Sequence, residues 1–436
     1  MHGRKMPATL RFMLASRRSE LLGLEDLART CELVTRISQL VHALQKERGY
    51  SNIYLSGNAP HQRQQLDVLS LEAEALEREV RLDLDRIDLD AVSTADKTRL
   101  FTRIAYALHS LDELPALRRR IREHAISMQD ATATLVRLIG GLLAVVFEAA
   151  DTAADPDITR CLVALFNFMQ GKELAGQERA LGVVGFASGY FRADMLERLE
   201  HLLEGQERCF ATFSRFASPA AQALWQALCA SETNINACRL RDIARLTSPG
   251  AAVEPQLCEL WFELHTHRID AMKQVETRLE QDLLQQCRYS IERIRKDLQS
   301  HRKLLDGIAD MHAAAEQAKL FSVQASDLDA PPPDGMTAMV ARSTLELLLT
   351  QSVRLQGLNE ELREARQALD ERKQVERAKQ QLMRQQGFSE GEAYGWLRQA
   401  AMNQGLRLEE VAQRLLALAQ PAERAPARTL GQRSRH

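Results

Sequence analysis

Apolar residues recur every three or four positions along most of this chain, the spacing that lines them along one face of an α-helix. Val34, Ile37, Leu40, Val41 and Leu44 form one such stripe near the N-terminus. A second stripe, Leu284, Cys287, Ile291, Ile294 and Leu298, lies in a segment predicted to be helical from Pro255 to about Asp310. Its alternating steps of three and four are those of a bundle or coiled-coil seam. Runs of alternating apolar and polar β-branched residues, the mark of a half-buried strand, are almost lacking. The predicted fold class is all-α.

The strongest break is SDLDAPPPDGMT (326–337), whose three consecutive prolines cannot continue a helix. Weaker breaks fall at SGNAP (56–60), LDAVSTAD (89–96), AADPD (153–157) and TSPGAAVEP (247–255). This divides the chain into a long helical-bundle domain (1–325), a Pro-rich linker (326–337) and a coiled-coil linker helix (338–370). A compact three-helix module (371–420) and a disordered Pro/Arg-rich tail (421–436) follow. In the linker helix Leu348, Leu355, Leu362 and Leu369 recur every seven residues, with Leu358 and Ala365 between them. That seam predicts a homodimeric coiled coil, weakened at its start by Gln351. In the terminal module the first helix should stop at Gly387 and a capping box, Ser389 to Glu392, should open the second. The second helix carries Ala393, Leu397 and Ala401 on its inner face, and the third carries Val411, Ala412 and Leu415.

Composition narrows the function. The seven cysteines are scattered without a CxxC pair, which suits buried thiols in a reducing compartment rather than a disulfide or metal framework. The longest apolar run, at 138–147, is about half of the ~20 residues that a membrane span requires. The N-terminus lacks a cleavable signal pattern, so a cytoplasmic protein with no membrane partner is expected. Net charge is −2, but residues 371–436 hold 12 Lys/Arg against 7 Asp/Glu, a local +5 that leaves −7 elsewhere. A basic C-terminal module on an acidic body is compatible with a polyanion partner.

Two stretches set arginine among small and apolar helical neighbours: LQKERGYSNIYLSG (44–57) and GKELAGQERALG (171–182). An arginine held between close helices needs an acceptor. That acceptor is either an internal carboxylate, such as Glu47, Glu173 or Glu178, or a bound anion. Guanidinium stays charged and offers a planar fork of donors, so two or three converging arginines could satisfy a planar oxyanion such as nitrate. Other chemistry is poorly supported. RLDLDRIDLD (81–90) lacks the glycine and terminal glutamate of an EF-hand loop and reads as a solvated loop. His265 and His267 lie on different helical faces, and no nucleotide-binding, nucleophile-elbow or zinc-protease motif occurs. No enzyme and no cofactor is expected. In the terminal module, Tyr394 and Arg398 at i, i+4 could stack on and neutralise an RNA loop; two short helices joined by a glycine turn could instead enter a DNA groove.

The two arginine-bearing stretches, together with LWFELHTHRIDAMKQVE (260–276), resemble the NIT family of nitrate- and nitrite-sensing helical domains. The terminal stretch, with its AKxxLMxxxGFSEGEAYxxLRxxAM skeleton, resembles the ANTAR family of RNA-binding antitermination modules. Together and in this order they resemble nitrate-responsive antiterminators. The resemblance implies a nitrate or nitrite ligand held by Arg48, Arg179 and a third arginine from SETNINACRLRDIARL, with Arg239 favoured over Arg241. It also implies a partner, hairpins of leader mRNA, with RNA polymerase affected only indirectly. Lys379 and Tyr394 fall on ANTAR motif positions; Arg372, Arg384 and Arg398 extend the expected RNA contacts by charge and spacing. Tyr50 follows the glycine of QKERG where a smaller aliphatic residue is common in the family, which would reshape the pocket edge. With the anion absent, Glu47 or Glu178 is expected to hold Arg48.

Overall fold

The computed structural model describes residues 8–56, 60–86, 98–322 and, with short gaps, 360–419. The chain divides into two compact units, residues 1–366 and 367–436. Among the described residues there is no β-strand; a single-residue antiparallel bridge joins Tyr190 and Ala252. The Pro-rich linker, most of the coiled-coil seam, the capping serine and the tail beyond residue 419 lie outside the described residues.

The first unit is built from α1 (Ala8–Ser56), α2 (Pro60–Asp85), α3 (Thr98–Asp112), α4 (Leu114–Arg122) and α5 (Met128–Thr152). It continues with α6 (Pro156–Ser188), α7 (Ala193–Phe216), α8 (Pro219–Cys229), α9 (Glu232–Leu246) and α10 (Leu257–Ser322). The stretch expected as a solvated loop at 81–90 is helical through Asp85, because the apolar spacing of α2 continues through Val80 and Leu84.

Helix α6 runs through the centre, packed against α1, α5, α7 and α10. Its sequence explains this position. Apolar and small residues occur on every side of it, and a helix without a polar face must be enclosed. Asp155 caps it by accepting from the Ile158 amide, Pro156 opens the first turn, and Gly189 closes it at φ +76°. Its glycines admit bulky partners: Gly171 lies against the Phe210 ring, Gly182 against Trp261 and Gly185 against Phe191.

The stripe of α1 is buried as its spacing predicts, with Val34, Leu40, Val41 and Leu44 fully enclosed. In α10 the enclosed positions are Leu283, Cys287, Ser290 and Ile294, whereas Leu284, Ile291 and Leu298 are only half-buried. The seam therefore lies slightly round the helix from the expected one. Helix α5 as a whole is long and apolar enough to cross a membrane, more than its ten-residue run suggests; most of its apolar window is covered by packing within the protein.

Two histidines sit inside this unit in their neutral form. Burial and the neighbouring Lys172 ammonium push His42 down to about 2, and burial pushes His265 down to about 3. Both folded values lie below the ordinary 6.5, so below that pH the unfolded chain binds two protons that the folded chain refuses. Stability is therefore complete above pH 6.5 and falls as pH drops, by roughly 1.4 kcal/mol per pH unit for each histidine. Urea titrations between pH 7.5 and 5 should show the midpoint falling, with His42→Gln flattening the slope. An unchanged midpoint would contradict the burial of both rings.

The second unit comprises α11 (369–386), α12 (Glu390–Gln404) and α13 (Leu408–Ala419). Gly387 (φ +70°) and Gly405 (φ +63°) supply the left-handed residues that end the first two helices. Ala378 and Leu382 pack with Ala393, Leu397, Ala401, Val411 and Ala412 into one small core, with Leu415 at its edge.

Candidate functional site

Helices α1 and α6 approach closely where the two arginine-bearing stretches meet, and glycine makes this possible. A Cβ on Gly49 would collide with the Arg179 guanidinium, and one on Gly176 would collide with Nη2 of Arg48. Each arginine thus lies over the glycine belonging to the other stretch. The sequence supplies both halves of this exchange, glycine after the ER pair in α1 and before it in α6.

Arg48 is only 1% exposed. Its Nη1 donates to the Glu173 carboxylate, while Nε and Nη2 are buried without a hydrogen-bond partner among the described residues. Such orphaned donors are costly inside a protein. Arg179 is equally buried but differently held: Nη1 donates to Thr266 Oγ1 at 2.9 Å and Nη2 to the Gln45 carbonyl at 3.1 Å. Its guanidinium lies over the Phe262 ring, 5.2 Å from the centroid. Burial and the nearby Arg48 charge pull its pKa down to about 10. Gly49, Asn52, Ile53, Gly176, Arg179 and Phe262 border a small recess. Tyr50 stands beside it, edge-on to Phe262 with centroids 6.0 Å apart.

The carboxylates expected near Arg48 are engaged elsewhere. Glu47 accepts Arg118 at 2.7 and 2.8 Å and the Ser70 hydroxyl at 2.7 Å. Glu178 accepts Arg241 at 2.7 and 3.0 Å, Arg268 at 3.4 Å and the Gln206 amide at 2.8 Å. Burial alone would raise Glu178; the Arg241 and Arg268 guanidiniums outweigh it and hold the carboxyl at about 2. The group that holds Arg48 is Glu173, which also accepts the Gln45 and Gln177 amides at 2.9 and 3.0 Å. The expectation of Glu47 or Glu178 is corrected accordingly. Within α6, Glu173 lies three residues before Gly176, so it shares the face that meets α1.

The structure does not bring Arg239 to this place. It is exposed on α9 and bonded to Asn236 of its own helix at 3.1 Å. Ala237, Leu240 and Ala244 form the inner face of α9. Arg239 lies roughly 200° round the helix from Ala237, whereas Arg241, one turn beyond Ala237, reaches inward to Glu178. Thr266, Phe262 and Arg268 all lie in the 260–276 stretch, whose resemblance to the NIT family is the one sequence signal that points to them.

In the second unit Arg384 and Arg398 are exposed, Arg372 is half-buried, and Lys379 is buried with its ammonium 3.0 Å from Glu376. Tyr394 is 7% exposed, so its ring is not presented for stacking as the i, i+4 reading supposed. The reason is its position one residue from the Ala393–Leu397–Ala401 face. The exposed aromatic of this unit is Trp396, at 44%. Gln399 and Asn403 follow it at helical spacing on the same exposed face.

Comparison with known proteins places these residues in context. The family described as nitrate and nitrite sensing (NIT) matches residues 39–284, and the ANTAR domain family matches 363–416. A curated relative, the nitrate regulatory protein of Klebsiella oxytoca, is 34% identical over 414 residues, 94% of this chain and 95% of that protein. The solved structure of the NasR transcription antiterminator is similar with a TM-score of 0.56 at 33% identity, covering 94% of this chain and 99% of that one.

Proposed function

Because the chain belongs to the family of regulators that join a NIT nitrate- and nitrite-sensing domain to an ANTAR domain, we propose that anion binding between α1 and α6 governs RNA binding by the C-terminal unit. The chain is a nitrate-responsive transcription antiterminator and not an enzyme. Its sensor takes nitrate or nitrite, and its ANTAR domain binds RNA. A duplex-DNA reading of the two short terminal helices is not favoured by this membership.

One observation carries the ligand placement: the two orphaned donors of buried Arg48, beside a second buried guanidinium. Nitrate is planar and singly charged, so in-plane N–H groups of Arg48 and Arg179 can satisfy its oxygens. Arg239 drops out of the proposed ligand set; Thr266 and the Gln45 carbonyl position Arg179 instead. A ligand shifts a conformational equilibrium only through its differential affinity for the two states. Here the anion would draw α1 and α6 together by relieving guanidinium repulsion. The linker helix would pass the change on, with a homodimer through its heptad seam and domain limits as read from the sequence. The RNA target would be hairpins of a leader transcript in the cytoplasm, polymerase responding only to the altered RNA fold.

Gel shifts of the full chain with hairpin RNA and with duplex DNA, with and without nitrate, test this reading. Nitrate-dependent binding of the hairpin supports it; preference for duplex DNA overturns it. Trp396 is the base-stacking candidate, with exposed Arg384 and Arg398 as phosphate contacts. Trp396→Ala should weaken hairpin binding roughly tenfold, since base stacking on an aromatic contributes about 1–3 kcal/mol. Its melting temperature should stay that of the wild type, because the indole is exposed.

A further inference from the structure

We infer that Glu173 sets the charge of the anion this sensor accepts, restricting it to monovalent oxyanions. The inference rests on the placement of the ligand at Arg48 and Arg179 proposed above. These two guanidiniums and the Glu173 carboxylate are all nearly fully buried. The other buried carboxylates of the two stretches are engaged by their own partners, Glu47 by Arg118 and Glu178 by both Arg241 and Arg268, which leaves one positive charge over on the α9 and α10 side. Lys172 is paired with Glu276 at 2.6 Å. Asp270, which also acts on Arg179, is exposed, where solvent screens it. The three groups at the proposed ligand place itself, Arg48, Arg179 and Glu173, are two positive charges and one negative. A single monoanion brings their sum to zero.

A dianion at the same place would leave a net negative charge away from water, which is heavily disfavoured. Glu173 is also held so that it cannot easily turn away. The Gln45 amide fixes it from α1 and the Gln177 amide from its own helix, in addition to Arg48. It is thus a specificity-determining residue rather than a mere counterion, because its charge is fixed in the site whichever anion arrives. Rejection by charge does not depend on fit.

The test is calorimetry on the full chain with nitrate and with sulfate as probes. Wild type should bind nitrate and show at least a hundredfold weaker binding of sulfate. Glu173→Gln, which keeps the shape and removes the charge, should lower that preference at least tenfold; Glu173→Asp should retain it. An unchanged preference in Glu173→Gln overturns the inference. Should that variant not fold, Gln177→Glu carries the test. It adds a carboxylate at the half-buried edge of the site and should remove nitrate binding. Nitrate binding by Gln177→Glu equal to wild type overturns the inference. If instead wild type binds no nitrate, or Arg48→Ala binds it as well as wild type, the ligand site itself is misplaced.

Discussion

Arg48→Ala is expected to lose nitrate binding and, with it, nitrate-dependent binding of hairpin RNA. The side chain is enclosed between α1 and α6 and supplies two buried donors without an internal acceptor. Truncating one member of a buried, hydrogen-bonded charge pair costs about 2–5 kcal/mol of binding, which is roughly three-hundredfold in Kd at the middle of that range. Arg48→Lys separates charge from geometry. It keeps the positive charge but not the planar fork, so it should recover only part of the affinity. Gly176→Ala reaches the same end without touching the arginine, because its new methyl group would occupy the space of Nη2. Calorimetry on the three variants checks this, and wild-type affinity in all of them would remove Arg48 from the site.

The largest effect on stability is expected from Glu178→Gln. Glu178 is fully buried and is the shared acceptor for Arg241 of α9, Arg268 of α10 and Gln206 of α7. Removing its charge leaves buried Arg268 and half-buried Arg241 with a neutral amide between them. Breaking a buried ion pair from one side costs about 3–5 kcal/mol. For a unit of this size that corresponds to a fall in Tm of roughly 5 °C, modest because the entropy of unfolding grows with chain length. The sign with pH follows from the depressed carboxyl. Its stabilisation is complete above the ordinary 4.5 and is lost as pH falls toward about 2. The variant's deficit should therefore be full at pH 7 and shrink below pH 4.5, measured by thermal melts. A deficit that does not change with pH would mean that the Glu178 charge is not the source.

Local information explains which parts were legible beforehand. The helices, their breaks at 153–157 and 247–255, and the small core of the terminal module follow from spacing, caps and glycine, all of which act within a few residues. Arg48 and Arg179 stood out because a charge among apolar and small residues conflicts with its own helix face, and such a conflict is visible without a partner. Arg239 and Tyr394 show the limit. The expectation for Arg239 rests on a family resemblance and that for Tyr394 on a motif position and its i, i+4 spacing to Arg398, and a rotation of one or two residues about the helix axis decides whether a side chain faces in or out.

Partner choice was decided only by the tertiary structure. Glu47, Glu173 and Glu178 are alike in sequence: each sits beside a lysine or arginine on an apolar helix. What separates them is which neighbouring helix brings a guanidinium within 3 Å: α4 for Glu47 and α9 for Glu178. Glu173 is left to Arg48 of α1. Those approaches depend on how helices distant in the chain pack around α6, set by shape and close contact over the whole core rather than by any short stretch. The sequence by itself determined an all-helical sensor with a small terminal module and two conspicuous arginines. Packing alone assigned each buried charge its counter-charge, because an ion pair is a property of distance and not of sequence order.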